Sequence, residues 1–442
     1  MPIPRRHLLS SLASLPLAWS AAQTAAQTSR PRPLRNEGVV DWAAVRAEFT
    51  LDPAFVHLGS FFLVSHPRRV QAAIEEFRKK LDRDPLWLEA AGFDPKSGLP
   101  LEKVREALAR YTGARAQDLA FTPNTTTALA LAYHGLRLRP GQEILTTEHD
   151  HYAHHESIRL ASERAGATAR RVRLYDRAAD ASAAACVERL ERAIEPRTRA
   201  IGITWVHSST GVKLPVKAIA EMVSGRNRDR APGERVLLIV DGVHGFANQD
   251  VDIATLGADF FAAGCHKWLF GPRGTGFLWG RPEAWPELQP TIPTFDPAAP
   301  ETWAAWMKGE APGPTKAAFV SPGGFTAFEH LLALSESIAF HEDIGRTALA
   351  ARIRDLNQRC RDFLSGMKHV TLHTPRSNDL AGPITCFEVK GLSAEEVTTR
   401  LTAKGIRTNA SPYAVSYARI AAGIMNTPED VDRAVAAVRS LG

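Results

Sequence analysis

Cysteine is scarce in this chain. Only four occur in 442 residues, Cys186, Cys265, Cys360 and Cys386, with no CxxC pair and no repeated interval, which excludes a zinc ribbon or a disulfide framework. They are expected as buried thiols. A long run of Lys or Arg is also missing: the formal charge is +6, yet 54 basic residues are interspersed with 48 acidic ones, so no nucleic-acid partner is expected. There is no internal repeat, and the apolar stretch near the N-terminus is too short to cross a bilayer, so no membrane anchor is expected. Gly271-Pro272-Arg273-Gly274-Thr275-Gly276 has neither the spacing of a dinucleotide fingerprint nor the Gly-Lys-Ser/Thr ending of a P-loop. It reads as a flexible turn.

What is present is a chain that is 44% apolar over 442 residues, enough for a large core and too long for a single simple one. Near the start, Arg5-Arg6 precedes a weakly apolar Ala/Ser/Leu-rich stretch, the pattern of a twin-arginine export signal. Cleavage is expected near Ala22 to Ala26, which places the mature protein in the periplasm or outside the cell. Pro31 and Pro33 mark an extended linker. Apolar spacing predicts helices over 70–82 and 101–111. From 119 onward short apolar runs alternate with helical stretches: 119–121, 143–146, 169–174, 200–205, 236–240 and 260–263. That rhythm predicts an α/β fold with a mostly parallel sheet covered by helices. A Pro-rich stretch, 282–314, interrupts it. Then come one long helical pattern over 326–367, strands at 370–373 and 384–389, a helix at 394–404, a further strand pair and a closing helix from 428. The expected division is 1–30 signal and linker, 31–70 a segment joining the small domain, 71–315 a large domain, and 316–442 a smaller α+β domain.

Two segments carry the chemistry. Val240-Asp241-Gly242-Val243-His244 ends one apolar run, and Cys265-His266-Lys267-Trp268 ends the next, with Lys267 26 residues after Asp241. An acid and an amine at the ends of neighbouring buried strands suit pyridoxal phosphate: the lysine holds the aldehyde covalently and the carboxylate keeps the ring nitrogen protonated. Asn124-Thr125-Thr126-Thr127 opens a helix expected from about 128. Alone, Asn124 would read as an N-cap; with Asp241 and Lys267 downstream, Asn124, Thr125 and Thr126 read as a phosphate site at a helix N-terminus. In Glu148-His149-Asp150-His151-Tyr152, either His149 or His151 would supply a ring stacked on the pyridine face. A metal site is the lesser reading, because adjacent positions give poor tetrahedral geometry and no distant fourth ligand is evident. Ser208, in Trp205-Val206-His207-Ser208-Ser209-Thr210-Gly211, and His244 are candidates for the cofactor's phenolic oxygen, or else ordinary hydrogen-bonded loop groups.

Together these residues resemble the class V aminotransferase family of fold-type I pyridoxal phosphate enzymes, which includes cysteine desulfurases and isopenicillin N epimerase. The resemblance runs from about Phe55 to the C-terminus and is most specific at Asp241-Gly-Val-His244 with His266-Lys267. It implies a large, mostly parallel sheet domain with a smaller C-terminal α+β domain, and a homodimer with active sites between subunits. It also implies a substrate-side loop at Leu58-Gly59-Ser60-Phe61, with Ser60 toward substrate, and Arg419 as the group that holds a substrate α-carboxylate. Pro322-Gly323-Gly324-Phe325-Thr326 stands where the family donates a Gly-Thr phosphate clip across the dimer, with Thr326 as the hydroxyl. One departure is informative: 409–416 contains no cysteine where desulfurases carry their nucleophile. The expected activity is therefore at the amino group and Cα of an amino acid, with Lys267 as general base. Epimerisation or elimination is favoured slightly over transamination, since an exported enzyme lacks a steady supply of oxo acid. A catalytically silent binding protein with the same fold is the reading from another class.

Overall fold

Residues 33–92 and 100–442 are described by the structure, a computed structural model. The expected export signal falls outside the described residues. Within them, the strands of the centre follow from two-sided burial. Along Leu237–Asp241, Leu237 and Ile239 enter one core while Leu238 and Val240 enter the other, and along Phe260–Gly264 the residues Phe260 and Ala262 part from Phe261 and Ala263 in the same way. Strands buried on both faces read as unbroken apolar runs, which is why they were legible.

Seven strands form the main sheet: β1 (Leu119–Thr122), β2 (Glu143–Thr147), β3 (Thr168–Val172), β4 (Thr198–Thr204), β5 (Leu237–Asp241), β6 (Phe260–Gly264) and β7 (Gly276–Gly280). Their order is β1-β7-β6-β5-β4-β2-β3. Pairings are parallel from β6 through β3, whereas β7 runs antiparallel to both β6 and β1. Helices Thr125–Gly135 and Tyr152–Ala165 contribute the core on one face. Helices Pro100–Thr112, Ala183–Ala193, Val216–Arg226 and Phe328–Ile344 contribute the core on the other.

The smaller C-terminal domain has an antiparallel sheet in the order Val370–Leu372, Thr385–Val389, Ala418–Ile420, Asn409–Ala410. Its own core includes Leu356, Phe387, Leu401 and Val431. Near the start of the chain, Val56–His57 pairs in parallel with Ile406–Arg407, and Leu58 accepts a hydrogen bond from the Ala421 N–H at 2.8 Å. The segment is thus tied to the C-terminal sheet.

Among the differences from the sequence reading are three elements. The long helical pattern is two helices, Phe328–Ile344 and Arg346–Ser365, parted at Gly345, whose φ of 88° ends the first. The helix after Asn124 starts at Thr125, where the Asn124 side chain caps it. Beyond the glycine-rich turn lies β7, inserted into the sheet; a run of Gly-Phe-Leu-Trp-Gly has few β-branched residues to announce it.

Candidate active site

In open α/β sheets, ligands bind beyond the carboxyl ends of the parallel strands. Here a cavity of about 520 Å³ lies at the ends of β1, β4 and β5, walled by Asn124, Thr125, Thr126, Thr204 and Asp241, with His266 and Lys267 from the turn after β6 and Arg419 from the small sheet. Asp241 arrives there by strand parity: it continues the face of Leu237 and Ile239, toward helix Thr125–Gly135.

Lys267 Nζ and Asp241 share one low-dielectric space. Burial pulls the lysine down to about 8, with Asp241 opposing the shift and Arg419 adding to it. Burial raises the Asp241 carboxyl to about 6, against a hydrogen bond from the Val243 N–H at 3.1 Å and the charge of Lys267. Lys267 Nζ lies 3.1 Å from His244 Nε2, and the Trp268 indole N–H donates to His244 Nδ1 at 3.4 Å. His244 is driven well below the usual histidine range, by burial first. Burial likewise lowers His266 to about 4.

The helix N-terminus sits close to the lysine turn because two glycines let it. Gly264 and Gly276 face each other across β6 and β7. A Cβ on Gly276 would come within 3.1 Å of Asn124 Cα, and one on Gly264 within 2.7 Å of the His266 ring. Thr125 Oγ1 accepts from the Gly264 N–H at 2.8 Å, and Asn124 Oδ1 accepts from the Thr127 N–H at 2.9 Å. First-turn N–H groups have no intrahelical acceptor, so Thr125 and Thr126 present a site for an anion.

At the other end of the cavity, Arg419 is buried at 4% exposure. Its Nη1 donates to the Ser208 carbonyl at 3.1 Å, and its Nη2 to Asn409 Oδ1 at 2.7 Å and the Ala410 carbonyl at 3.2 Å. Its Nε is buried with no acceptor among the described residues. The guanidinium lies over the Phe61 ring at 4.2 Å, a cation–π contact that fixes its plane. Ser208 Oγ and Tyr413 OH are 2.6 Å apart at this end.

Of the two histidines left open by the sequence, His151 lines the cavity, edge-on to Tyr413 at 6.0 Å. His149 is instead stacked on Tyr175, 3.8 Å between centroids, and accepts from the Leu174 N–H at 3.3 Å; burial brings it down to about 3. Ser60 turns away from the cavity, its hydroxyl toward Met425 Sδ at 4.0 Å, and its neighbour Phe61 forms the wall in its place. Thr326 is exposed and lies outside the cavity.

Beneath the floor is a polar network that sequence reasoning missed. Asp150 accepts from Thr146 Oγ1, the Thr147 N–H and the Thr204 N–H, each at 2.8 Å. Burial opposes its ionisation, but His154, His207 and these hydrogen bonds outweigh it and hold the carboxyl well below its ordinary value. Thr204 is the register partner of Asp241, so this anion stands directly behind the cavity's acid. Tyr133 and His154 are 2.6 Å apart, and Tyr175 and His207 2.9 Å. Trp268 and Phe61 stand inside the sequence motifs with no signal of their own, and Asp150 stands between two histidines that draw the eye first.

The sequence profile described as "Aminotransferase class-V" matches residues 66–434. Among curated proteins, an isopenicillin N epimerase from Streptomyces clavuligerus is 30% identical over 421 residues, 91% of this chain and 99% of that protein. A probable cysteine desulfurase from Halalkalibacterium halodurans is 27% identical over 350 residues, 75% of this chain and 79% of its own. In fold, the chain resembles a C-DES mutant with glycine covalently linked to its PLP cofactor, with a TM-score of 0.76 at 20% identity, covering 90% of this chain and 99% of the other. It also resembles the cysteine desulfurase CsdA of Escherichia coli, with a TM-score of 0.74 at 21% identity, covering 91% and 98%.

Proposed function

The chain belongs to the class-V aminotransferase family, a family of pyridoxal phosphate enzymes, and from that premise we propose that it exchanges or eliminates at the Cα of an amino acid, with epimerisation or β-elimination favoured over transamination. The observation that carries this reading is the convergence of Lys267, Asp241, the helix N-terminus at Thr125 and Arg419 on one cavity. A buried amine lowered to about 8, a strand-end carboxyl, an anion site and a guanidinium with an unused Nε–H fit the cofactor and an amino-acid carboxylate.

When bound, pyridoxal phosphate supplies the electron sink that makes a Cα proton removable. The residues divide the remaining work. Thr125 and Thr126 would hold the phosphate, and Asp241 would keep a proton at the ring nitrogen. His151 would cover the ring face. Arg419 would grip the substrate carboxylate and so orient the Cα–H bond. Lys267 Nζ would take that proton, and its lowered pKa leaves a useful fraction uncharged near neutrality.

A desulfurase-type reaction is disfavoured by the thiols. All four cysteines are buried, and burial pushes Cys265 and Cys386 up to about 12. The loop ahead of Arg419 offers the Tyr413 hydroxyl instead. The test is incubation of the holoenzyme with single amino acids in deuterated water without any oxo acid. Catalytic deuterium exchange at Cα or release of a β-substituent is expected. Stoichiometric conversion to the amine form of the cofactor without turnover would refute both.

The arginine pair supports export: replacing Arg5 and Arg6 with lysine should leave the full-length chain in the cytoplasmic fraction, and undiminished export would remove that support. A homodimer is the proposed working form. Phe325, beside Thr326, is 94% exposed, the kind of side chain a second subunit would cover; sedimentation at monomer mass would refute it.

A further inference from the structure

Trp268 follows the reactive lysine and points back into the same site. Its side chain is only 1% exposed, and its indole N–H donates to His244 Nδ1 at 3.4 Å. An indole N–H can only donate, so Nδ1 carries no proton. A neutral imidazole has one N–H, and burial keeps His244 neutral, with the charge of Arg419 acting in the same sense. The proton is therefore on Nε2. That is the atom 3.1 Å from Lys267 Nζ, and a donor facing Nζ calls for a lone pair, which only the uncharged amine has.

We infer that Trp268 is a positioning residue: by occupying His244 Nδ1 it fixes the imidazole as an Nε2–H donor, and that donor holds the Lys267 amine uncharged, ready to condense with an aldehyde. In the condensation the Nζ lone pair forms the new C–N bond, and the carbonyl oxygen leaves as water with two protons from the amine. Other groups face Lys267 as well. Asp241 favours its charged form and Arg419 opposes it, while His151 and His266 lie within electrostatic reach. None of these chooses the His244 tautomer, because none is bonded to Nδ1. The inference rests on Lys267 being the cofactor amine, but its first test does not.

Cofactor-free protein labelled with 15N-histidine should show His244 Nδ1 in the unprotonated range and Nε2 in the protonated range of a long-range 1H–15N spectrum. The reverse assignment overturns the inference, whether or not any variant folds. In Trp268→Phe, Nδ1 loses its donor. Uptake of pyridoxal phosphate, followed by absorbance, should then move its pH midpoint upward from about 8. Below the midpoint it should slow about fivefold, the worth of one ordinary hydrogen bond. His244→Gln supplies an amide N–H that has no tautomer, so adding Trp268→Phe to it should leave the midpoint in place. Equal shifts in both backgrounds would mean a merely structural role and refute the proposal. Absence of any absorbance change in the wild type at every pH would instead strike the cofactor reading and leave the tautomer result standing.

Discussion

Arg419→Lys tests the proposed carboxylate clamp. The guanidinium has five N–H donors, and three contacts within the protein are made by Nη1 and Nη2, while Nε is buried and without an acceptor among the described residues. A buried N–H left unmet is costly, and a hydrogen bond to a charged partner contributes about 1.5–3 kcal/mol. Lysine keeps the charge but cannot hold Asn409, the Ser208 carbonyl and a substrate carboxylate from one planar fork. It also loses the flat contact with Phe61. The expected loss in kcat/KM for a free amino acid is therefore about 10- to 100-fold, since each 1.4 kcal/mol is a factor of ten. The corresponding amino-acid amide, which has no carboxylate to grip, should lose much less. The assay compares kcat/KM for acid and amide in wild type and variant, with urea unfolding as the check on folding. Equal losses for acid and amide would show that Arg419 acts only as a structural tether between Ser208 and Asn409, and the assignment of the substrate carboxylate would fall.

Three further outcomes are expected. Gly202→Ala should destabilise the protein by about 1–3 kcal/mol in urea unfolding, because a Cβ there would drive into the Tyr133 hydroxyl and within 2.7 Å of His154 Nε2; an unchanged midpoint would mean the Asp150 network can shift. In the cofactor-free protein, Asp241 is raised to about 6, so the folded state binds its proton more readily than the unfolded. The resulting stability is present below about pH 4 and lost as pH rises through about 6. Asp241→Asn should flatten that portion of the stability profile, and an unaltered slope would refute the shift. Finally, burial pushes Cys186 up to about 11 and Cys265, Cys360 and Cys386 up to about 12, so a disulfide reagent at pH 8 should titrate no thiol until denaturant is added; a fast-reacting thiol in the native protein would contradict it.

The acid and the amine were legible because both go with strands buried on both faces: the apolar run 236–240 leads straight into Asp241 at its strand end, and Phe260–Gly264 leads into the turn that carries Lys267. The Asn124 turn was legible from its side chains, since a cap needs an oxygen three residues before the N–H it accepts. Choosing between His149 and His151 required Tyr175, whose ring is brought against His149 only by the pairing of β2 with β3. Ser60 and Phe61 lie in a segment with no periodicity to say which side faces inward. The Asp150 network was invisible for a similar reason: its members come from β2, β4, two helices and the loops after β2, β3 and β4, and only the packed sheet places them together. Gly345 was readable as a breaker in principle, but apolar residues on both sides continue the helical spacing across it.

The pairing of residues 56–58 with the C-terminal sheet has a mechanical consequence. Arg419 lies in Ala418–Ile420, and the backbone of Ala421 is bonded to Leu58, three residues before Phe61. Phe61 and Arg419 therefore belong to one lever, although 358 positions separate them in the chain. Any rotation of the small domain over the sheet would carry the proposed carboxylate grip and its aromatic cover together, so that engaging the substrate and screening it from water would be a single displacement with one energy profile. A cut or insertion between Leu58 and Phe61 would split that displacement in two, leaving the grip intact while the cover lags behind.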